Sequence, residues 1–382
     1  MPQRRMDRRK FVQKALAGGS AAALPALAAC GSGTAAGSGP AVQTQRRVMW
    51  RLASSFPRGL DTIYATSEVF ARRLEAISEG RFIVRPYPAG ELVPGLQVMD
   101  AVQQGTVQMA HTASYYFTGK NPAFAFDAGV PFGLTPRQQL AWLNQGGGLE
   151  LIRELFADFN IIVFPAGSTG AQMGGWFRRE VNSTSDLRGL RMRIPGLGGE
   201  VMSRLGVTVQ VLAGGDIFPA LERGVVDATE WVGPYDDEKL GFHKVARYYY
   251  YPGWWEPGPT LSFHVNLREW NGLPAEYREM FQSAAAEASG WMLARYDSVN
   301  PPALERLIAS GVQLRAFSEE IMTAAHRTSF ALYEEQASQN AGYRKVYDAW
   351  KAWRVQAYRW FDTAERAYAD FAFPRVAGGS SA

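Results

Sequence analysis

The 382-residue chain has one cysteine, Cys30. A disulfide framework is therefore excluded, as is any cysteine-rich zinc or iron–sulfur centre. Histidine is nearly as scarce. His111, His243, His264 and His326 are the full set, and no two stand at metal-ligand spacing. No Gly-x-Ser-x-Gly nucleophile elbow occurs, and no Cys/His pair can form, because Cys30 lies in the N-terminal segment. The glycine-rich stretch Gly196-Leu197-Gly198-Gly199 lacks the full dinucleotide spacing and an acidic residue placed for a ribose. Positive charge is missing from the body of the chain too. The formal net charge is +4, but Arg4, Arg5, Arg8, Arg9, Lys10 and Lys14 against Asp7 put +5 into the first 29 residues, which leaves −1 for the rest. No basic footprint for nucleic acid remains. With 47% hydrophobic and 20% charged residues, the composition is that of a globular protein long enough for two domains.

The N-terminus reads as an address. Arg8-Arg9-Lys10-Phe11-Val12 precedes a weakly apolar run over 15–29, too short to span a membrane. Charge followed by an apolar run is the order of an export signal, and the paired arginines look like a twin-arginine signal. Leu27-Ala28-Ala29-Cys30 resembles a lipobox, whose cysteine is acylated to become the mature N-terminus. Ordinary cleavage after small residues is the alternative. Residues 1–29 are thus expected to be signal. Residues 30–45, rich in Gly, Ser, Ala and Thr, are expected to form a flexible tether.

Downstream, alternation and helical spacing predict strands over 48–53, 82–87 and 107–111, with helices over 62–77 and 96–103 between them. A second run follows. It has strands over 161–164, 173–177, 191–194 and 207–212, helices over 199–205 and 216–223, and a strand or turn over 225–231. After 248–255, helices dominate. This order argues for an α/β fold of two lobes with an interlobe cleft. Lobe I is expected over 46–167 with part of 258–303, and lobe II over 168–257 with part of 304–342. Residues 343–371 contain no Gly or Pro but carry Tyr347, Trp350, Trp353, Tyr358, Trp360, Phe361 and Tyr368. The stretch 343–372 reads as a long helical arm, or two helices joined by a kink. It is too apolar to lie alone in water, so it either packs across its own lobes or dimerises.

The chemistry concentrates between 172 and 256. Arg193 ends a predicted buried strand just before Pro195-Gly196. Its planar fork suits bidentate pairing with a carboxylate, either a ligand's or a structural acid's. Glu230 and Glu256 sit beside Trp231 and Trp254-Trp255. Carboxylates in such surroundings are costly unless paired. Should the ligand also be a carboxylate, three negative groups would face one arginine, which calls for a hard cation such as Na⁺ or Ca²⁺. Two ordinary surface acids beside aromatic packing is the plainer alternative.

Three stretches bring a family into view: 90–102 (GELVPGLQVMDAV), 187–196 (LRGLRMRIPG) and 218–228 (FPALERGVVDA). On these the chain resembles the extracytoplasmic solute receptors of tripartite ATP-independent periplasmic (TRAP) transporters over nearly its whole mature length. Residues 228–235 (ATEWVGPY) and 251–258 (YPGWWEPG) resemble the 2-oxoacid-binding receptors and their lactate-binding relatives. The resemblance implies a two-lobed periplasmic-binding-protein-like fold with a long C-terminal helix. It implies that Arg193 pairs with the ligand carboxylate. Gln172, Glu230, Trp231 (through its backbone carbonyl) and Glu256 would hold a cation, Na⁺ ahead of Ca²⁺, that bridges ligand and protein. Tyr115, Tyr116 and Phe177 would line the pocket. The expected protein is a receptor rather than an enzyme. It would bind a small organic acid, such as pyruvate or 2-oxobutyrate, or a 2-hydroxyacid such as lactate, and deliver it to membrane permease subunits. It would act as a homodimer joined by the C-terminal helix, with no nucleic-acid partner. A ligand-sensing lipoprotein without transport, and a hydrolase using Glu230 and Glu256 as an acid/base pair, are the competing classes.

Overall fold

The computed structural model describes residues 47–377. The expected export signal, lipobox with Cys30 and tether lie outside the described residues.

Eleven strands are described. They are β1 (Val48–Ser54), β2 (Phe82–Tyr87), β3 (Met109–Thr112), β4 (Ile161–Ser168), β5 (Trp176–Phe177), β6 (Arg191–Arg193), β7 (Thr208–Gln210), β8 (Ala228–Thr229), β9 (Tyr248–Tyr251), β10 (Thr260–Asn266) and β11 (Gln313–Ala316). They form two sheets, ordered β2-β1-β3-β10-β4 and β11-β9-β5-β8-β6-β7. The expected two-lobed α/β fold is what the chain adopts. In the first sheet β1 is parallel to β2 and β3, as crossover helices require. Strand β1 buries Val48, Trp50 and Leu52 and exposes Met49 and Arg51, a one-sided alternation.

Strand β10 was not foreseen. It lies antiparallel between β3 and β4, and all seven of its residues are buried. Covered on both faces, it has no alternating pattern, and Ser262 and His264 interrupt its apolar run. Strand β11 also falls where helices were expected to dominate, and β9 forms within the aromatic segment 248–255. The predicted strand 173–177 shortens to Trp176–Phe177, because Gly174 and Gly175 precede it and Gly175 takes a positive φ of 77°.

The helix Ala275–Ala309 ties the two halves. It packs against the helix Ala65–Ile77 and β4 on the first sheet, and against the helix Pro234–Leu240 beside the second. Phe281 on its inner face meets Phe70 at 4.8 Å and Phe164 at 4.9 Å between ring centroids. The Phe70 contact is edge to face and that with Phe164 is tilted; aromatic pairs at this range add about 0.5–1.5 kcal/mol beyond area burial.

At the C-terminus, Ala341–Phe361 is helical, Asp362–Arg366 makes one π turn, and Ala367–Ala377 continues the helix. Where a kink between two helices was one expectation, the helix continues through a π turn. Asn340 caps the start by accepting from the Tyr343 N–H at 2.9 Å. Tyr343, Tyr347 and Trp350 are buried, and Phe126 packs on Tyr343 and Trp350. Farther along, Trp360, Tyr368, Phe371 and Phe373 are each more than 60% exposed. Among the described residues no helix is long and apolar enough to cross a membrane.

Candidate functional site

Strand pairing brings the central residues together. Strands β6 and β8 run parallel with Arg193 opposite Thr229, so Glu230, the next residue, falls beside the arginine. The Glu230 N–H donates to the Arg193 carbonyl at 3.2 Å. The Arg193 guanidinium donates from Nη1 to the Glu230 carboxylate and to the Glu230 carbonyl, and from Nε to the Leu212 carbonyl. Its carbon lies 5.2 Å from the centre of the Trp231 ring. Arg193 and Glu230 are each 1% exposed. Nη2 of the same guanidinium has no hydrogen-bond partner.

Two further segments are laced to this pair through their backbones. The Gln172 N–H donates to the Glu256 carbonyl, the Gly253 N–H to the Gln172 carbonyl, and the Met173 N–H to the Val232 carbonyl, at 3.0–3.2 Å. Residues 172–173, 230–232 and 253–256 are thereby held as one frame. The Gln172 side chain donates to the Thr169 hydroxyl at 3.2 Å, while its carbonyl oxygen Oε1 is buried with no partner. A buried amide oxygen left unpaired carries a desolvation cost of about 1–3 kcal/mol.

The first-sheet half contributes Tyr115 and Tyr116 from the turn Ser114–Phe117 after β3. The Tyr115 hydroxyl donates to Glu256 Oε2 at 3.0 Å, and the two tyrosine rings meet edge to face at 5.1 Å. Gly196 makes room for this approach. Its φ is +62°, and a Cβ there would stand 2.9 Å from that of Tyr115. A cavity of about 10 Å³ remains between the halves, so the site is nearly filled by its own side chains. Arg193, Glu230 and Gln172 form its polar wall, and Phe56, Ile63 and Leu261 face them. Glu256 stands just behind this wall.

The electrostatics follow from burial. Desolvation is the largest influence on Glu230; Arg193 works against it, and the carboxyl is pushed up to about 7. Burial, then the neighbouring Glu230, drives Glu256 well above the carboxylate range. Burial also raises Tyr116 to about 12. Behind the Trp231 loop, burial lifts Asp236 to about 7 and Asp237 to about 6. One guanidinium cannot neutralise both glutamates, so the frame retains a proton at neutral pH or admits a cation in its place.

Most of the expected residues come together. Arg193, Gln172, Glu230, Trp231, Tyr115 and Tyr116 line the cavity, and Glu256 borders it through Tyr115. Phe177 does not join them. It is buried in β5, where its ring packs on Tyr250 and Phe317. The two-residue strand turns Phe177 into the core of the second-sheet half instead of toward the cleft. Sequence reasoning did not single out Phe56, Ile63, Thr169, Val232 or Leu261, which reach the cavity only through the tertiary fold. The buried pair Asp236 and Asp237 was also missed. Its one signal was the Gly233-Pro234 helix start just after Trp231.

The donor set fits a hard cation. Among the described residues no three His, Cys, Asp or Glu side chains gather at a metal-binding distance. What the site offers is two carboxylates, the orphaned Gln172 Oε1 and main-chain carbonyls. All are oxygens, the preference of Na⁺ and Ca²⁺ rather than of zinc.

Comparison with known proteins agrees in fold and family. Residues 54–340 match the family DctP, described as bacterial extracellular solute-binding protein, family 7. The chain is 58% identical over 325 residues to the monocarboxylate 2-oxoacid-binding periplasmic protein of Nostoc sp., covering 85% of this chain and 89% of that one. A TRAP transporter solute binding protein from Bordetella bronchiseptica superposes with a TM-score of 0.87 at 46% identity, over 88% of this chain and 100% of that one. That structure is a mixed occupancy dimer, with copurified calcium and picolinate in one active site and the other apo. A TRAP periplasmic solute binding protein from Pseudoalteromonas atlantica, with bound sodium and pyruvate, gives a TM-score of 0.83 at 36% identity, over 85% of this chain and 99% of that one.

The raised Glu230 carboxyl has a stability consequence. The folded chain keeps a proton there that the unfolded chain, near the ordinary 4.5, gives up. The contribution is fully present below about 4.5 and is lost as pH rises through about 7. Chemical denaturation of the ligand-free protein between about pH 5 and pH 8 tests this. Glu230→Gln should flatten the fall in stability across that window relative to wild type. Parallel curves would show that Glu230 is already ionised at pH 5.

Proposed function

The chain belongs to the bacterial extracellular solute-binding proteins of family 7, the TRAP transporter receptors, and we propose that it captures a short 2-oxoacid, pyruvate or 2-oxobutyrate, together with a cation. One observation carries this reading. Two residues that line the cavity carry a buried polar atom with no hydrogen-bond partner, the donor Arg193 Nη2 and the acceptor Gln172 Oε1. The first asks for an anionic oxygen and the second for a cation. A 2-oxoacid with a bound cation supplies both.

In this reading Arg193 takes the ligand carboxylate with Nη2 while Nη1 stays on Glu230. Gln172, Glu230, the Trp231 carbonyl and Glu256 hold the cation, which when bound offsets the excess negative charge and accepts ligand oxygens. Tyr115 keeps Glu256 oriented, and Tyr116 closes the side. Phe56, Ile63 and Leu261 face the ligand's short apolar tail. Closure of the two halves excludes water, so each charge pairing gains strength in a low dielectric. Chemistry on the ligand is not part of the proposal. The fixed positive charge is committed to binding, and the isolated histidines lie outside the cavity. The captured acid passes to membrane permease subunits. Export by the twin-arginine route and anchoring through an acylated Cys30 complete the proposal, together with a homodimer formed by the C-terminal helix. That arm leaves Trp360, Tyr368, Phe371 and Phe373 in solvent.

Calorimetric titration with pyruvate should give tight binding only when Na⁺ or Ca²⁺ is present, and parallel titrations with each ion decide which is native. Lactate, titrated alongside, separates 2-oxoacids from 2-hydroxyacids. Arg193→Ala should weaken pyruvate binding by about 3 kcal/mol, roughly a hundredfold, since it strands a buried carboxylate. Unchanged affinity would remove Arg193 from the site. Sedimentation velocity should find a dimer that Trp360→Asp with Phe371→Asp converts to monomer; a wild-type monomer rejects the arm's proposed role. In cell fractionation, Cys30→Ser should shift the protein from the membrane to the soluble fraction. A protein already soluble would mean plain cleavage.

A further inference from the structure

Phe56 and Ile63 both line the cavity, and the segment between them carries Asp61 to the cleft rim. Asp61 there meets the helix Pro234–Leu240, whose start lies three residues beyond Trp231. Lys239 Nζ donates to Asp61 Oδ1 at 2.5 Å, and the Tyr235 hydroxyl donates to Oδ2 at 3.1 Å. Arg295 Nη2 stands 3.8 Å from Oδ2. Lys239 also sits over the Tyr235 ring, 4.6 Å from its centre.

The two sides of this cluster are anchored in different halves. Asp61 follows β1 of the first sheet. The opposing helix is pinned to the second sheet by Asp237, which accepts from Trp176 Nε1 at 2.9 Å and from the Tyr249 hydroxyl at 2.7 Å. The same helix is tied to the C-terminal half of Ala275–Ala309, through Asp236 to Tyr296 at 2.7 Å and Glu238 to Arg306 at 2.6 Å. Other ion pairs near Asp61 do not cross. Arg58 pairs with Glu68 and Glu91 on its own side. We infer that Asp61, Lys239 and Tyr235 form an ionic latch across the cleft rim that sets how long a captured ligand is retained.

The exposures suit a latch that opens and recloses. The Asp61 side chain is 48% exposed and that of Lys239 is 32% exposed. Such pairs are weak enough to part at the surface, unlike the fully buried Arg193–Glu230 pair. Partial burial pushes the Asp61 carboxyl up, but Lys239 and Tyr235 outweigh it and hold it below the usual range, so it stays charged at neutral pH. Both sides of the latch continue directly into cavity walls, Phe56 and Ile63 on one side and Trp231 and Val232 on the other. Parting the halves therefore breaks the latch, and an unlatched rim frees the walls. Asp61 acts through Lys239 and Tyr235 and is a positioning residue for closure.

The inference rests on the receptor reading, and two measurements keep the two separate. Stopped-flow release of pyruvate with cation present should speed up by about two- to fivefold in Asp61→Asn, while unfolding by denaturant stays close to wild type. The swap Asp61→Lys with Lys239→Asp should bring release back toward wild type, which a merely structural role would not predict. In ligand-free protein, hydrogen–deuterium exchange over 55–64 and 229–233 should quicken in Asp61→Asn and slow again in the swap. Unchanged release and exchange in Asp61→Asn would overturn the latch, as would failure of the swap to restore either. If wild type binds no pyruvate, the oxoacid reading fails, and the exchange comparison still decides the latch.

Discussion

Arg193 is the one basic side chain among the described residues lining the cavity, and it faces more negative charge than it can neutralise. Glu230 takes one edge of its fork, and Glu256 stands close enough for the Glu230 charge to help raise its carboxyl. In water this imbalance would cost little. Buried, it forces the protein to keep a proton, to bind a cation, or to remain open. The surrounding structure is arranged around that constraint. Tyr115 crosses from the other half to satisfy Glu256, Gln172 presents a bare oxygen, and Trp231 lays its ring against the guanidinium. A ligand that brings an anionic oxygen together with a cation relieves the whole set at once.

Placing these groups takes two sheets and three loops. The register of β6 against β8 puts Glu230 beside Arg193, and backbone hydrogen bonds among 172–173, 230–232 and 253–256 hold the oxygen donors as one frame. Rigid support of this kind matters because binding sites lose affinity when their groups must be ordered at the moment of capture. The opposite wall is simpler and largely apolar. A division of labour follows. The second-sheet half carries the buried charges, and the first-sheet half lays apolar side chains and Tyr115 over them.

Two kinds of electrostatic contact therefore operate in one molecule. The Arg193–Glu230 pair is buried and fixed, and removing either partner strands the other. The Asp61–Lys239 pair is half in water and reversible. In the proposed receptor, recognition would rest on the first kind, and the inferred latch on the second, since pairs that solvent can reach break and re-form without a large desolvation penalty.

Much of this was legible before any coordinates. The repeated strand–helix alternation, and the placing of Arg193 at a strand end with Glu230 and Glu256 among tryptophans, are local patterns. Local patterns survive in sequence because neighbouring residues impose them. Family likeness then attached roles to Gln172, Trp231, Tyr115 and Tyr116, and the fold brings all four to one cavity. Other features were settled only by long-range packing. Strand β10 is covered on both faces and so shows no alternation. Phe177 turns toward Tyr250 and Phe317 because a two-residue strand between β8 and β9 sets its direction. Phe56, Ile63 and Leu261 meet Arg193 across distances in sequence that no motif spans. The sequence by itself determined which residues could bear charge and where strands and helices could start. Tertiary structure decided which charges are buried together, because burial depends on what the rest of the chain lays over them.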